Sequence, residues 1–436
     1  MKYKYLFVSL TLLSTLPLFC QQNTVEAIYT DYFSLPRESL YMHLNKTTFF
    51  QGEEVWFKGY AYDQKNQLSS KATTNINVGI YDATGKQIKK ATFAAENGVT
   101  HGNFPLDSTF TAGTYYIKAQ TNWMRNFKEN NAFIQKIEII ADVNLNQEKE
   151  VKKASFDFQF LPEGGHIVAD TKNNIGFKVI ANNGKGVTAS GIIYDASQKQ
   201  VASFESNTLG MGKFLFQPKK DMQYTAEIKL ENGAQISKKL PQAKAQGISV
   251  VVQSLGKHDV ILDFHTNKET LENNLNNQYK ILVHQHGKLK TIALQLDALE
   301  KAIRIEKKEL FKGINTITVF DNNKNPIVER LFFNEYGVKN TNVNVTKLNT
   351  INDSVILSLK GLNLDKNANV SISVLPVTTE SYNPEHTIRS NFLLKPHIKG
   401  FVENPQYYFH KMDRKRKYEL DVLLLTQGWS RYEWNN

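Results

Sequence analysis

The sequence is almost without cysteine: Cys20 is the only one in 436 residues. That scarcity excludes an intrachain disulfide and any cluster of thiolate metal ligands, so stability must come from burial of apolar surface. Long apolar runs are scarce too. Beyond the first twenty residues no stretch approaches the roughly twenty apolar residues that a membrane-crossing helix needs. The common catalytic signatures are missing: there is no His-Glu-x-x-His pair, no Gly-x-Ser-x-Gly elbow, no Gly-rich phosphate loop ending in Lys-Ser/Thr and no Asp-x-Asp-x-Asp-Gly calcium loop. The densest basic run, Lys411 to Lys417, has no stacking aromatics or nucleic-acid motif with it, so it reads as a solvated face beside a helix.

With 41% hydrophobic residues, the chain is long enough for about three or four domains with their own cores. Its first twenty residues follow a secretory pattern: Lys2 and Lys4, an apolar run from Tyr5 to Phe19, then polar Gln21, Gln22 and Asn23. The expectation is a signal peptide over residues 1–20 and a mature chain outside the cytoplasm, periplasmic, outer-membrane-associated or extracellular. Bulky Leu18 and Phe19 favour simple cleavage over lipid attachment at Cys20. Removing Lys2 and Lys4 takes the formal net charge from +11 to +9.

Three segments repeat one pattern: Tyr81 to Ile88, Tyr194 to Val201 and Phe320 to Ile327 each run aromatic, Asp, polar turn, aliphatic. Each follows an alternating stretch ("NINVGIYD", "ASGIIYD", "NTITVFD"), so the same hairpin is predicted three times. Gly102-Asn-Phe104 and Gly212-Lys-Phe214 repeat as well, each ahead of a second aromatic strand. The fold class expected is all-β: tandem immunoglobulin-like β-sandwiches with short C-terminal helices, which the resemblance given below narrows to macroglobulin-like sandwiches. Lapses in alternation place sandwiches at 25–145, 155–240 and 248–336, and a partial β module with a helical segment at 338–436. In that last part Tyr418, Val422 and Leu425 have helical spacing and Gly428 is a stop, which predicts short helices packed on the last module.

The candidates for chemistry are few. His284 and His286 would share a strand face, with His258 and His265 nearby in sequence; lacking a cysteine or carboxylate companion they read as outward-facing polar residues, not metal ligands. Asp259 and Asp263 also share a face, but four strand residues span about 13 Å, beyond the roughly 6.5–9.5 Å used by inverting glycosidases. "FLPEGGHIV", Phe160 to Val168, reads as a tight bend, because Glu163 would repel an anion. On the strand containing "VWFKGYAY", Val55, Phe57, Gly59 and Ala61 form a core wall, while Trp56, Lys58, Tyr60 and Tyr62 form an aromatic outer face. That face is either a ligand platform or a surface covered by a neighbouring module, and the central Lys58 favours the covered reading. No catalytic residue, metal site or cofactor is assigned.

"LYMHLNKTTFFQGEEVWFKGYAYD" resembles the macroglobulin-type domain of bacterial relatives of alpha-2-macroglobulin. "FLPEGGHIVADTKNNIGFKV", "GMGKFLFQP", "GINTITVFDNNKNPIVERLFF" and "LDVLLLTQGWSRYEW" together are similar to large secreted envelope proteins of the Bacteroidota group. Such proteins often continue into a TonB-receptor plug domain. The resemblance implies the sandwich fold but not the covalent protease trap, whose thioester needs a cysteine that the mature chain lacks. The expected function is a non-enzymatic extracytoplasmic scaffold or binding protein associated with TonB-dependent outer-membrane uptake, with a protein partner in the cell envelope such as an outer-membrane transporter, no nucleic acid and no transmembrane span after signal cleavage. The alternative is a non-covalent protease inhibitor, with the linker Gln147 to Ser155 as its cleavable segment. A hydrolase assembled from distant carboxylates is a third class.

Overall fold

In a computed structural model that describes residues 24–129, 131–140, 155–273, 278–339, 343–361, 368–428 and 434, one strand order recurs three times. The first sandwich comprises β1 (Glu38–Leu44), β2 (Thr48–Phe50), β3 (Glu54–Asp63), β4 (Leu68–Ser69), β5 (Asn75–Asp82), β6 (Gln87–Ala94), β7 (Val99–Pro105), β8 (Gly113–Gln120) and β9 (Phe133–Ile140). The second comprises β10 (Phe156–Pro162), β11 (Asn173–Ala181), β12 (Ala189–Tyr194), β13 (Gln200–Glu205), β14 (Met211–Phe216), β15 (Thr225–Leu230) and β16 (Gln235–Lys239). The third comprises β17 (Ile248–Gln253), β18 (Asp259–Thr266), β19 (Gln278–Gln285), β20 (Lys288–Gln295), β21 (Glu300–Glu306), β22 (Gly313–Phe320) and β23 (Pro326–Asn334).

Leaving aside the short β2 and β4, each sandwich places its first, second and fifth strands in one sheet and its fourth, third, sixth and seventh in the other. Alternation produces the cores: along β3, Val55, Phe57 and Ala61 are buried between the sheets while Trp56 faces outward. Each sandwich has its own apolar cluster, centred on residues such as Phe49 and Ile80, Phe177 and Ile193, and Phe264 and Ile281. The tandem all-β sandwich class expected from the sequence is the class observed.

The thrice-repeated turn is one structure used three times. Asp82 Oδ1 accepts from the Thr84 and Lys86 amides at 2.9 and 3.0 Å, and Asp195 Oδ1 accepts from the Ser197 and Lys199 amides at the same distances. Asp321 Oδ1 accepts from the Asn325 amide at 2.8 Å. Each turn has a residue at positive φ (Gly85, Gln198, Lys324), and each pairing shifts register at the preceding aromatic (Tyr81, Tyr194, Phe320). Asp is used because its short carboxylate collects the amides that the turn leaves unpaired.

Among the described residues four α-helices accompany the sandwiches: α1 (Val25–Tyr32), α2 (Lys268–Asn273), which connects β18 to β19, α3 (Ile388–Leu393) and α4 (Arg414–Gln427). Helix α1 precedes the first sandwich in sequence yet packs on the third, where Val25 and Tyr29 meet Leu282 and Phe320. The C-terminal helices also depart from expectation, because they do not pack on a last β module. Asp413 caps α4, accepting from the Arg416 amide at 2.8 Å, and Gly428 follows its end. The helix packs between β11 and β14 of the second sandwich and β23 of the third, with Leu420, Val422, Leu423 and Leu424 in one cluster with Met211, Leu331 and Phe333. Contact is so close that a Cβ on Gly176 would collide with Leu425. Two sandwiches offer the helix two apolar walls, and a two-stranded hairpin offers neither.

That hairpin, β24 (Val343–Ile351) with β25 (Ser354–Gly361), pairs with no other strand among the described residues. Among the described residues, too, no helix is long and apolar enough to cross a membrane. Residues 1–23, which hold the expected signal peptide and Cys20, and most of the 146–155 linker lie outside the described residues.

Candidate functional site

The densest convergence of polar and aromatic side chains is a cleft between helix α1, the tip of the β19–β20 hairpin and the turn Lys395–His397 after α3. Thr24 caps α1, accepting from the Ala27 amide at 3.2 Å, and the helix places Tyr29 against the hairpin. The Tyr29 hydroxyl accepts from the Gly287 amide at 2.9 Å. Gly287 has φ of 86°, and a Cβ there would stand 2.8 Å from that of Phe33. Glycine is therefore required both by the backbone conformation and by the approach of the helix.

Tyr29 is fully buried beneath His284 and Trp434, with ring centroids 4.8 Å from each. His284 and His286 were expected to face outward, and they do not. His284 is buried, with its Nε2 3.1 Å from Thr318 Oγ1, and His286 has φ of 41° at the hairpin tip, which removes it from the strand face. The Nε2 atom of His286 lies 3.0 Å from Nε2 of His397, more than a hundred residues away, so one imidazole donates and the other accepts. Burial lowers the His284 imidazole to about 3 and the His397 imidazole to about 4, and it pushes His286 well below the ordinary value. Arg37, 5% exposed, closes the other wall: its Nε is 3.2 Å from Glu129, it donates to the Tyr32 carbonyl at 2.7 Å, and its guanidinium lies 3.8 Å from the Phe127 ring centroid. The cavity enclosed is about 200 Å³.

Imidazoles held neutral this firmly are poor general bases near neutral pH, where catalysis favours a group titrating close to the working pH. They hold elements together instead. Among the described residues no three His, Cys, Asp or Glu side chains come together in a metal-binding arrangement.

The second convergence was not foreseen. Glu163, read as part of a tight bend, does sit on one, the turn Glu163–Gly165, but its side chain is completely buried as an ion-pair partner. Its Oε1 accepts from Arg330 Nε at 2.5 Å and its Oε2 from Asn174 at 2.7 Å. The same guanidinium donates to Asp421 Oδ1 on α4 at 2.7 Å, and Lys213 Nζ is 2.7 Å from Asp421 Oδ2. Burial alone would raise the Asp421 carboxyl, but Arg330 and Lys213 beside it hold it below its ordinary value. One Arg on β23 thus joins the second sandwich, the third and helix α4. The sequence carried a weak signal: "VERLFF" places Glu329 and Arg330 in the middle of a largely apolar strand.

Comparison with known proteins gives little more. No family model matches the chain, and no curated protein does. Among solved structures it is similar to a point mutant of alpha-2-macroglobulin from Salmonella, at 11% identity and a TM-score of 0.20, over 72% of this chain and 24% of that one. It is similar to the native conformation of alpha-2-macroglobulin from E. coli at 12% identity and a TM-score of 0.20, over 71% and 24%. Dimeric latent PorU from Porphyromonas gingivalis matches at 10% identity and a TM-score of 0.27, over 68% and 33%. The chain spans about a quarter of the length of the alpha-2-macroglobulins it matches. With scores this low, the sandwich assignment rests on strand pairing and not on these neighbours.

The remaining candidates separate. Asp259 pairs with Arg304 at 3.4 Å, whereas Asp263 lies 3.2 Å from His265 Nε2, so the two carboxylates serve different partners. His258 contributes its carbonyl to the Lys307 amide at 2.8 Å. In the basic run, Lys417 pairs with Glu335 at 2.6 Å and Arg416 with Asp413 at 3.6 Å. The aromatic face of β3 is largely covered, by the chain's own C-terminal segment. Lys58 Nζ donates to the Val370 carbonyl at 3.0 Å, His43 Nδ1 is 2.6 Å from Ser371 Oγ, and Tyr62 stacks on Phe392 at 4.5 Å between centroids. Trp56 stays 55% exposed.

Proposed function

We propose that the chain is a non-catalytic scaffold and binding protein that works outside the cytoplasm with outer-membrane, TonB-dependent uptake machinery. The observation that carries this reading is the buried Glu163–Arg330–Asp421 cluster, which joins consecutive sandwiches and a C-terminal helix. A scaffold needs fixed spacing between its modules, and a buried, mutually satisfied ionic cluster at their joint supplies registry in a way that nonspecific apolar contact does not. The covering of the β3 aromatic face and the neutral histidine pair support the same reading, since both engage conspicuous side chains in holding the chain's own parts together. The location and the partner rest on the secretory pattern of the first twenty residues and on the resemblance to Bacteroidota envelope proteins.

The test is affinity capture of the tagged full chain from a membrane-envelope extract, with an Arg330→Met variant in parallel. The reading expects an outer-membrane transporter enriched by the wild-type chain and lost with the variant. Enrichment of no outer-membrane protein overturns it, as does turnover of a peptide or polysaccharide substrate by the purified chain.

A further inference from the structure

A second cavity, of about 980 Å³, opens on the first sandwich between the start of β1, the loop 63–75 and the turn Trp123–Asn126. At its floor lies Glu38, only 6% exposed. Among the described residues no Lys, Arg or His side chain forms an ion pair with it. Three hydroxyls hold it instead: Ser70 Oγ and Thr73 Oγ1 donate to Oε1 at 2.6 Å each, and Thr121 Oγ1 donates to Oε2 at 2.7 Å. A hydroxyl has one proton and two lone pairs. With that proton committed to the carboxylate, and with Thr121 Oγ1 already accepting from the Met124 amide at 3.1 Å, what Ser70, Thr73 and Thr121 can still offer a visitor is their remaining lone pairs. The floor is therefore an array of acceptors.

The wall is apolar and fixed. Trp123 is 37% exposed, its Nε1 donates to the Pro36 carbonyl at 2.9 Å, and Phe127 meets its edge at 5.4 Å between centroids, so the indole is held in place before any ligand arrives. Leu68 is 66% exposed on the same cavity. Two carboxylates, Glu38 and Asp63, and one ammonium, Lys71, line the cavity, so the balance of charge disfavours an anion. A neutral ligand with many O–H donors and a flat C–H face satisfies every one of these conditions.

We propose that this cavity binds a neutral oligosaccharide, one pyranose ring stacked on Trp123 and its hydroxyls donating to the Ser70–Thr73–Thr121 array oriented by Glu38. The site belongs to the first sandwich alone and is independent of the scaffold reading, which is tested by protein capture and stands or falls separately.

The experiment is isothermal titration of the full chain with cellohexaose, xylohexaose, mannohexaose and chitohexaose at millimolar concentration, repeated on Trp123→Ala and, as a control, Trp56→Ala. The proposal expects at least one of the four to bind, a loss of about tenfold or more in affinity for Trp123→Ala (about 1.4 kcal/mol) and no change for Trp56→Ala. Thermal unfolding of Trp123→Ala at the wild-type temperature separates lost binding from lost folding. Should that variant unfold early, Trp123→Phe, which keeps an aromatic face, is expected to bind with intermediate affinity. Binding of none of the four sugars, equal binding by Trp123→Ala, or loss on Trp56→Ala overturns it.

Discussion

Two regions of the chain are built from the same kind of strand and end in opposite states. At the joint between the second and third sandwiches, β23 is buried along nearly its whole length, and Arg330 within it has all its partners inside the protein. In the hairpin β24–β25, whose ladder shifts register between Lys347 and Asn349, Val343 and Val345 lie across from Gly361 and Leu359, with Leu357 and Val355 on the same face. Yet Val345 is 57% exposed and Val355 55%. The amphipathic pattern is therefore not what buries a strand. A strand is buried when a second apolar surface is within reach, and at the joint two sandwiches and α4 supply it.

The comparison is broken most directly at Arg330. Substituting Met removes the shared cation, leaving Glu163 buried without a counterion and Asp421 with Lys213 alone, so a loss of about 3–5 kcal/mol is expected in urea unfolding. Replacing Glu163, Arg330 and Asp421 together by apolar residues of similar volume is expected to recover much of that loss. If the single variant lost nothing, the joint would be held by its apolar contacts alone.

Gly287→Ala attacks the docking of α1. It combines strained positive φ with a collision at Phe33, and more than about 1 kcal/mol is expected to be lost. Faster hydrogen exchange in 25–33 than in the sandwiches would locate the damage.

Acid sharpens the contrast by acting on the buried groups. The folded-state values of His284 and His397, about 3 and about 4, lie below the ordinary 6.5, so between these limits the unfolded chain binds more protons than the folded one. The stability from keeping them neutral is complete above about pH 6.5 and is lost as pH falls toward their folded values. The Asp421 contribution, from a depressed carboxyl, is present above its ordinary 3.8 and is lost as pH falls below it. Chemical denaturation at stepped pH is expected to show two falls in that order, the upper one diminished in His284→Gln.

The smallest effect is expected in the hairpin. Val345→Thr, at an exposed position, should change stability by no more than about 0.5 kcal/mol. A large loss there would mean that the hairpin is covered in solution.

Much of the fold was legible because its signals are local. The alternation in β3 and the Asp turns at 82, 195 and 321 depend on residues within a few positions of each other, and hairpin geometry follows from them. Helix α4 and its stop at Gly428 were legible for the same reason. The site was not. His286 and His397 are joined across more than a hundred residues, and nothing near "HQHG" announces a partner in "KPHIKG". The bend at Glu163 was legible, but its ion pair was not, because its counterion lies on another sandwich.

The sequence by itself determined that this protein is a series of β-sandwiches: strand period, turn chemistry and helix caps act over a handful of residues, and each carries its own free energy. Only the tertiary structure decided which sandwiches are fused, why α1 and α4 leave their sequence neighbours, and where Arg330, Asp421 and the histidine pair meet. Those choices depend on how well distant surfaces match in shape and charge, a property that exists only once both are folded.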